Sequence, residues 1–168
     1  HAELAAAISR RRADRRRYPA GTIPPATLEL LYIRAARMQV ELAVVPRSRW
    51  VRGDDGSVAL RFTEAAGQPA DDAVLLALGT REDDDAMRLR AGEALSHITL
   101  TATALGLASC PLTEPLNDDR ARLMLACEVF DGAAHPQALI RVGPPPADRT
   151  PLPPTERRSV NETTTWTS

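Results

Sequence analysis

Residues 91–116 read AGEALSHITLTATALGLASCPLTEPL, and this stretch decides the predicted fold. Apolar side chains recur at spacings of three and four through its first half, which is the pattern of a buried helical face. These positions are Ala91, Leu95, Ile98, Ala102 and Leu105. Gly106 then ends the helix, because glycine readily adopts the left-handed conformation that closes a helix. The stretch predicts a long helix over about 84–105 that runs directly into a short extended segment at 107–112.

Shorter elements flank this unit on both sides. The run AVLLALGT at 73–80 is continuously apolar, which is typical of a strand buried on both faces. Further strands are predicted at 40–45 and 137–143, and further helices at 2–9, 24–38 and 118–130. This mixture of elements predicts an α+β fold built around one long central helix.

The composition favours a single core followed by an extended tail. Residues 1–143 form the predicted domain, within which 46–72 is a variable lid or loop region rich in turn signals. After Gly143 the sequence becomes proline-rich and polar, so 144–168 is predicted to be an extended tail.

Overall composition excludes several classes of protein. The longest apolar runs fall short of the roughly 20 residues that cross a bilayer, and a cytoplasmic protein is the expectation. All 21 basic residues are arginine, so catalysis by a lysine amine is excluded. Cys110 and Cys127 lack the spacing of metal ligands, and both are predicted to be buried free thiols with no metal site.

The most unusual segment is ISRRRADRRRYP at 8–19, in a chain whose net charge is only −1. A nucleic-acid arm, a solvated helix face and a phosphate-binding site would each explain such a run of arginines. Nucleic-acid binding is disfavoured because the overall charge is near zero and only 4% of residues are aromatic.

Four segments together resemble the nitroreductase family of FMN-dependent oxidoreductases. They are RRRADRRRYPAGTIPP near the start, the long helix running into GLASCPLTE, HPQALIRVGPPP, and ERRSV in the tail. The set is similar in particular to the C-terminal half of the Acg-type branch of that family. The resemblance implies a nitroreductase-like α+β fold, with a mixed or antiparallel sheet flanked by helices and a long helix at a subunit interface.

The resemblance also implies a flavin site. The arginine motif and the late basic pair would bind the FMN phosphate, since guanidinium groups bind phosphate oxygens in a bidentate manner. Counted back from Tyr18, the matching positions are Arg12 and Arg16, with Arg11 and Arg15 beside them, and the tail supplies Arg157 and Arg158. The backbone of Pro111, Leu112 and Thr113 would lie against the isoalloxazine ring.

The function implied by the resemblance is hydride transfer from NAD(P)H through FMN to nitro or quinone-like acceptors. No catalytic acid–base pair is predicted, and His97 is expected to be a structural histidine of the core or of an interface. The alternative is a non-catalytic protein that binds or sequesters FMN, as suggested for the Acg-type branch. A third hypothesis is that the arginine run binds nucleic acid.

Two departures from the family pattern bear on the completeness of the site. The segment RAARMQVELAVV passes from helix to strand without the family's Pro-Ser…Asn-x-Gln-Pro-Trp stretch. The region 46–72 is also short, either because a lid-like segment was lost or because residues are absent from this chain. We therefore expect the flavin site to be completed by a homodimer, by another chain such as a second nitroreductase-like half, or not at all.

Overall fold

The structure is a computed structural model that describes residues 2–62, 73–146, 148, 150, 152–154 and 158–165. Five α-helices lie in this part of the chain: α1 (Ala2–Ile8), α2 (Pro25–Arg37), α3 (Asp85–Ala104), α4 (Asp119–Glu128) and α5 (Val160–Thr163). Its strands are β1 (Glu41–Val44), β2 (Trp50–Arg52), β3 (Val58–Leu60), β4 (Val74–Thr80), β5 (Ala108–Leu112) and β6 (His135–Gly143). The predicted α+β class is confirmed, as are the helices and strands predicted outside 46–72.

The main sheet has the strand order β1-β4-β6-β5, and every neighbouring pair in it is antiparallel. The two central strands, β4 and β6, carry the longest apolar runs, because each is covered on both faces. Leu76 and Leu78 face a core layer formed with α2 and α3, whereas Leu75 and Ala77 face a second layer that includes α4. This alternation follows from the two-residue repeat of a strand.

The region predicted to be a variable lid or loop contains a small hairpin. Strands β2 and β3 pair antiparallel, and Trp50 at the start of β2 is completely buried in the second core layer. The sequence indicated β3 as a possible short strand or helix fragment, but it gave no signal for β2. Positions 63–72 of this region lie outside the described residues.

Helix α3 spans 20 residues and packs against α1, α2 and the sheet. Asp84 caps its start, with the side chain accepting a hydrogen bond from the Met87 amide at 2.8 Å. The predicted apolar face is confirmed at Ala91, Ile98 and Ala102, but the assignment of Leu105 to it was wrong. Leu105 is 46% exposed because the helix ends at Ala104. None of the helices described is both long and apolar enough to cross a membrane.

The two cysteines differ in their surroundings. Cys110 in β5 is buried, as predicted, whereas Cys127 in α4 is exposed, so the prediction for Cys127 was wrong. Helix α4 turns Ala121, Met124 and Leu125 toward the core, and Cys127 falls outside that face.

A charged cluster around Asp83 joins three elements at one end of the sheet. The Asp83 carboxylate accepts hydrogen bonds from Gln137 of β6 at 3.0 Å, from Arg88 of α3 at 3.1 Å and from Arg122 of α4 at 3.0 Å. These donors stabilise the charged carboxylate, and the Gln137 amide and the Arg88 guanidinium in particular lower the pKa of Asp83 from 3.8 to about 2.

We expect this cluster to make stability depend on pH. Because the pKa of Asp83 is lower in the folded state, its stabilisation is complete above about pH 5 and is lost as the pH falls toward 2. The Asp83→Asn change should lower the free energy of unfolding by about 1 kcal/mol at pH 7, since the group is partly exposed, and by almost nothing near pH 2. Urea denaturation at pH 7, 4 and 2.5 measures this difference. Asp54→Asn is the matched control, because Asp54 is exposed and forms no ion pair with the residues that the structure describes. Equal pH profiles for wild type and Asp83→Asn would contradict the expectation.

Candidate functional site

The arginine segment, residues 10–17, is fixed to the sheet as an added edge. Ala13 forms a parallel bridge with Ser109 of β5, and the Asp14 amide donates to the Ser109 carbonyl at 3.0 Å. Tyr18 anchors the end of the segment, because its ring is 1% exposed and its hydroxyl donates to the Asp14 carbonyl at 2.9 Å. The run is therefore not a free basic arm.

A buried arginine of β6, Arg141, also holds the arginine segment in place. The Arg141 guanidinium lies 4.2 Å from the centre of the Tyr18 ring and donates a hydrogen bond to the Arg16 carbonyl. Arg141 is completely buried. Beside it, a Cβ added at Gly143 would lie 2.7 Å from the Tyr18 ring, so glycine allows the ring to rest on the strand.

The extended backbone of the arginine segment directs alternate side chains to opposite sides. Arg12, Asp14 and Arg16 line one cavity, together with Arg10. Arg15 lies on the other side, where its guanidinium pairs with Glu114 at 2.8 Å. Of the four arginines predicted from the motif, Arg12 and Arg16 thus line the cavity, whereas Arg15 lies on the other side.

The cavity has a volume of about 420 Å³ and lies between the arginine segment, the C-terminal end of α3, the start of β5 and the tail. Small and polar residues form the α3 and β5 side, including Thr103, Gly106 and Ser109. The tail supplies the opposite wall. The tail residues that line it are Pro145, Pro146, Thr150 and Leu152.

Arg16 is almost fully engaged within this cavity. Its guanidinium makes a bidentate pair with the buried Asp14 carboxylate, with Nε–Oδ1 at 3.1 Å and Nη2–Oδ2 at 2.8 Å. Its remaining edge donates from Nη1 to the carbonyl oxygens of Asp148 at 2.9 Å and Thr150 at 3.1 Å. The hydrogen bond with Asp14 raises the pKa of Arg16 above its usual value. Arg16 therefore connects the arginine segment to the tail.

Arg12 and Ser109 differ from Arg16 in their hydrogen bonding, because each has a group without a partner among the described residues. Arg12 donates from Nη1 to the carbonyl oxygens of Ser9 and Arg11, each at 2.8 Å. The Arg12 Nε and the Ser109 hydroxyl are buried, and neither has a hydrogen-bond partner among the residues that the structure describes. The cavity wall thus contains two polar groups with unused hydrogen-bonding capacity.

The loop after β5 forms a second polar cluster with Arg15. The Thr113 amide donates to the Glu114 carboxylate at 3.1 Å, and Arg15 pairs with the same carboxylate. A backbone hydrogen bond and then the Arg15 side chain lower the pKa of Glu114. The β2–β3 turn closes over Arg15, where Gly56 has a φ of 82° and a Cβ would lie 2.5 Å from the Arg15 carbonyl oxygen.

The other predicted site residues have separate locations. Pro111 is half-buried and Leu112 is buried within β5, whereas Thr113 is exposed. Arg11 is half-buried and is not among the cavity-lining residues. Arg158 is exposed just before α5, and Arg157 lies outside the described residues.

Sequence reasoning missed Ser109 and Asp14 as parts of the cavity. Asp14 had a visible signal, because it is the one acidic residue within the arginine run. Ser109 had none, since a serine in a short strand resembles any other small residue.

His97 contacts an arginine instead of a catalytic partner. Its Nε2 lies 2.8 Å from Arg34 Nη1, and since arginine can only donate, the imidazole nitrogen accepts. Burial and the Arg34 charge lower the pKa of His97, which keeps the ring neutral at pH 7.

Comparison with known proteins identifies relatives of this chain. The chain is 36% identical, over 212 aligned residues, to a Mycobacterium tuberculosis H37Rv protein provisionally named as an NAD(P)H nitroreductase, and the match covers 97% of the chain and 62% of the relative. It is 40% identical over 92 residues to the provisionally named NAD(P)H nitroreductase acg of the same strain, covering 55% of the chain and 28% of that protein. No protein-family profile matches the chain.

Solved structures share the fold. A nitroreductase with bound FMN from Bacteroides fragilis superposes with a TM-score of 0.65 at 17% identity, covering 99% of each chain. The chain spans 62% of the length of the first M. tuberculosis relative, and the alignment is longer than the chain itself, so that relative carries additional residues within the matched region. The predicted nitroreductase-like fold is confirmed, and over 97% of its length the chain is similar to a protein provisionally named as an NAD(P)H nitroreductase.

Proposed function

We propose that the chain is part of an FMN-dependent NAD(P)H oxidoreductase of nitroreductase type. The observation that carries the proposal is the cavity in which the buried Arg12 Nε has no hydrogen-bond partner among the described residues and lies beside Arg10 and Arg16. The FMN phosphate carries a charge of about −2 at pH 7, and guanidinium groups are suited to its oxygens. These residues fit the phosphate end of FMN.

The ring end of FMN is proposed to lie along Pro111, Leu112 and Thr113. The Thr113 amide is held by Glu114 in this structure, so its use by a flavin requires the Glu114 carboxylate to move away. Arg15 is placed to keep that carboxylate once it has moved, because the two already form an ion pair.

FMN, when bound, supplies the chemistry: it accepts hydride from NAD(P)H and passes electrons to nitro or quinone-like acceptors. The residues of this chain bind and orient. Arg12 provides positive charge at the cavity, whereas Asp14 neutralises Arg16 and fixes the direction of its side chain. We place the reaction in the cytoplasm, where reduced nicotinamides are available.

We propose that a second polypeptide unit completes the site, either another copy of this chain or a second nitroreductase-like half. The proposal is supported by the segment RAARMQVELAVV, which lacks the Pro-Ser…Asn-x-Gln-Pro-Trp stretch that the resemblance led us to expect near the flavin. Sedimentation of the purified protein with and without FMN tests it, and a strictly monomeric species that binds and turns over FMN would contradict it.

The function is tested by spectroscopy under anaerobic conditions. Protein mixed with FMN and freed of excess flavin should show flavin absorbance, and addition of NADH or NADPH should bleach it. Bound flavin that stays oxidised for hours at millimolar nicotinamide would contradict the enzyme and favour the flavin-sequestering alternative. Protein that retains no flavin but retards DNA at low salt would favour nucleic-acid binding.

A further inference from the structure

Ser109 differs from the buried and half-buried threonines of helix α3, which packs against β5. Thr99, Thr101 and Thr103 of α3 each donate to a carbonyl oxygen of their own helix, at 2.9, 2.8 and 2.9 Å. Ser109 is only 2% exposed, yet its hydroxyl has no partner among the described residues. A buried hydroxyl without a partner costs free energy, so the residue is better explained by a ligand than by the fold alone.

A second buried donor without a hydrogen-bond partner among the described residues belongs to a residue that lines the same cavity. The Nε of Arg12 is also buried without a partner among the residues described, while Arg12 and Ser109 both line the cavity. A guanidinium N–H and a hydroxyl are both donors, and their common partner would be rich in acceptor oxygens.

The distribution of charge favours the Arg12 end of the cavity for an anion. Asp14 neutralises Arg16, and the tail carbonyls of Asp148 and Thr150 occupy its other edge. Arg10 and Arg12 donate only to backbone carbonyl oxygens in the part of the chain that the structure describes. Their charge is not balanced by a carboxylate there, so this end attracts an anion more strongly than the Arg16 end.

We propose that Ser109 is a phosphate ligand that acts together with Arg12, and that this pair makes the site prefer FMN to riboflavin. The inference rests on the proposed function, because it assigns a new residue to the same flavin site. Rotation of the serine side chain about χ1 changes the direction of its hydroxyl without moving the strand. The phosphate monoester supplies the acceptor oxygens that both donors lack.

The test compares FMN and riboflavin binding by quenching of flavin fluorescence. Ser109→Ala should weaken FMN binding about tenfold, as expected for loss of one hydrogen bond to a charged group, and leave riboflavin binding unchanged. Ser109→Cys nearly preserves side-chain volume and should give a similar loss, so a packing defect is separated from loss of the donor. Thr101→Val is the matched control, because it removes a buried hydroxyl that bonds to its own helix and does not line the cavity.

Each outcome distinguishes the inference from the proposed function. If wild type binds FMN and both Ser109 variants bind it equally well, Ser109 is not a phosphate ligand and the flavoprotein proposal stands. An equal loss for FMN and riboflavin would also overturn the inference, because the effect would not concern the phosphate. If wild type binds neither flavin, both proposals fail.

Discussion

Replacing Tyr18 with alanine is expected to lower the free energy of unfolding by about 3–5 kcal/mol, the usual cost of removing a large buried aromatic side chain. The ring is 1% exposed, stacks against the Arg141 guanidinium and rests against Gly143. Its removal would leave a cavity beside a buried cation, and the Asp14 carbonyl would lose its hydroxyl donor. Denaturation in urea followed by circular dichroism measures the loss.

The Tyr18→Phe variant separates packing from hydrogen bonding. It keeps the ring and removes only the hydroxyl, so we expect a loss of about 1 kcal/mol. If Tyr18→Phe cost as much as Tyr18→Ala, the hydrogen bond to Asp14 would be the main support. If neither variant changed stability, the docking of the arginine segment on β6 would be wrong.

Replacing Arg12 with glutamine is expected to weaken FMN binding about 100-fold, because the change removes a charged donor group from the proposed phosphate site. Affinity should also become less sensitive to salt. Fluorescence titration at two ionic strengths measures both effects. The matched control is Arg17→Gln, which removes the same charge from an exposed position that does not line the cavity.

Comparing Arg12→Gln with Arg17→Gln separates a specific phosphate contact from general electrostatic attraction. A general electrostatic attraction of flavin to the basic run would make the two variants equivalent. We expect Arg17→Gln to stay within about twofold of wild type, since exposed charges are strongly screened. Equal losses for the two variants would contradict a specific phosphate contact at Arg12.

Most of the fold could be predicted from local patterns. The apolar run at 73–80, the small-residue stripe of α3 and the glycine that ends this helix each specify their element within a few residues. The hairpin around Trp50 could not be predicted, because its strands are three residues long and Trp50 is buried against core residues distant in the sequence. Leu105 and Cys127 were misassigned because periodicity indicates a buried face without indicating where the helix ends or turns from the core.

For the candidate site, the sequence indicated arginines that meet in one cavity but not the arrangement of the segment that carries them. The arginine motif indicated phosphate binding, and Tyr18 fixed the register that brings Arg12 and Arg16 into one cavity. Pairing of the segment with β5 sends Arg15 to the opposite side, and this depends on an edge contact that has no local signal. The contribution of Ser109 follows from the same contact.

The bridge between Ala13 and Ser109 joins the arginine segment to β5, and the stacking of Arg141 on Tyr18 joins the end of that segment to β6. Contacts of such large sequence separation form late, because the loop between them must be closed first. During synthesis the arginine segment emerges from the ribosome before either partner strand exists. We therefore expect a nascent chain to gain its affinity for phosphorylated ligands only after β6 has been released.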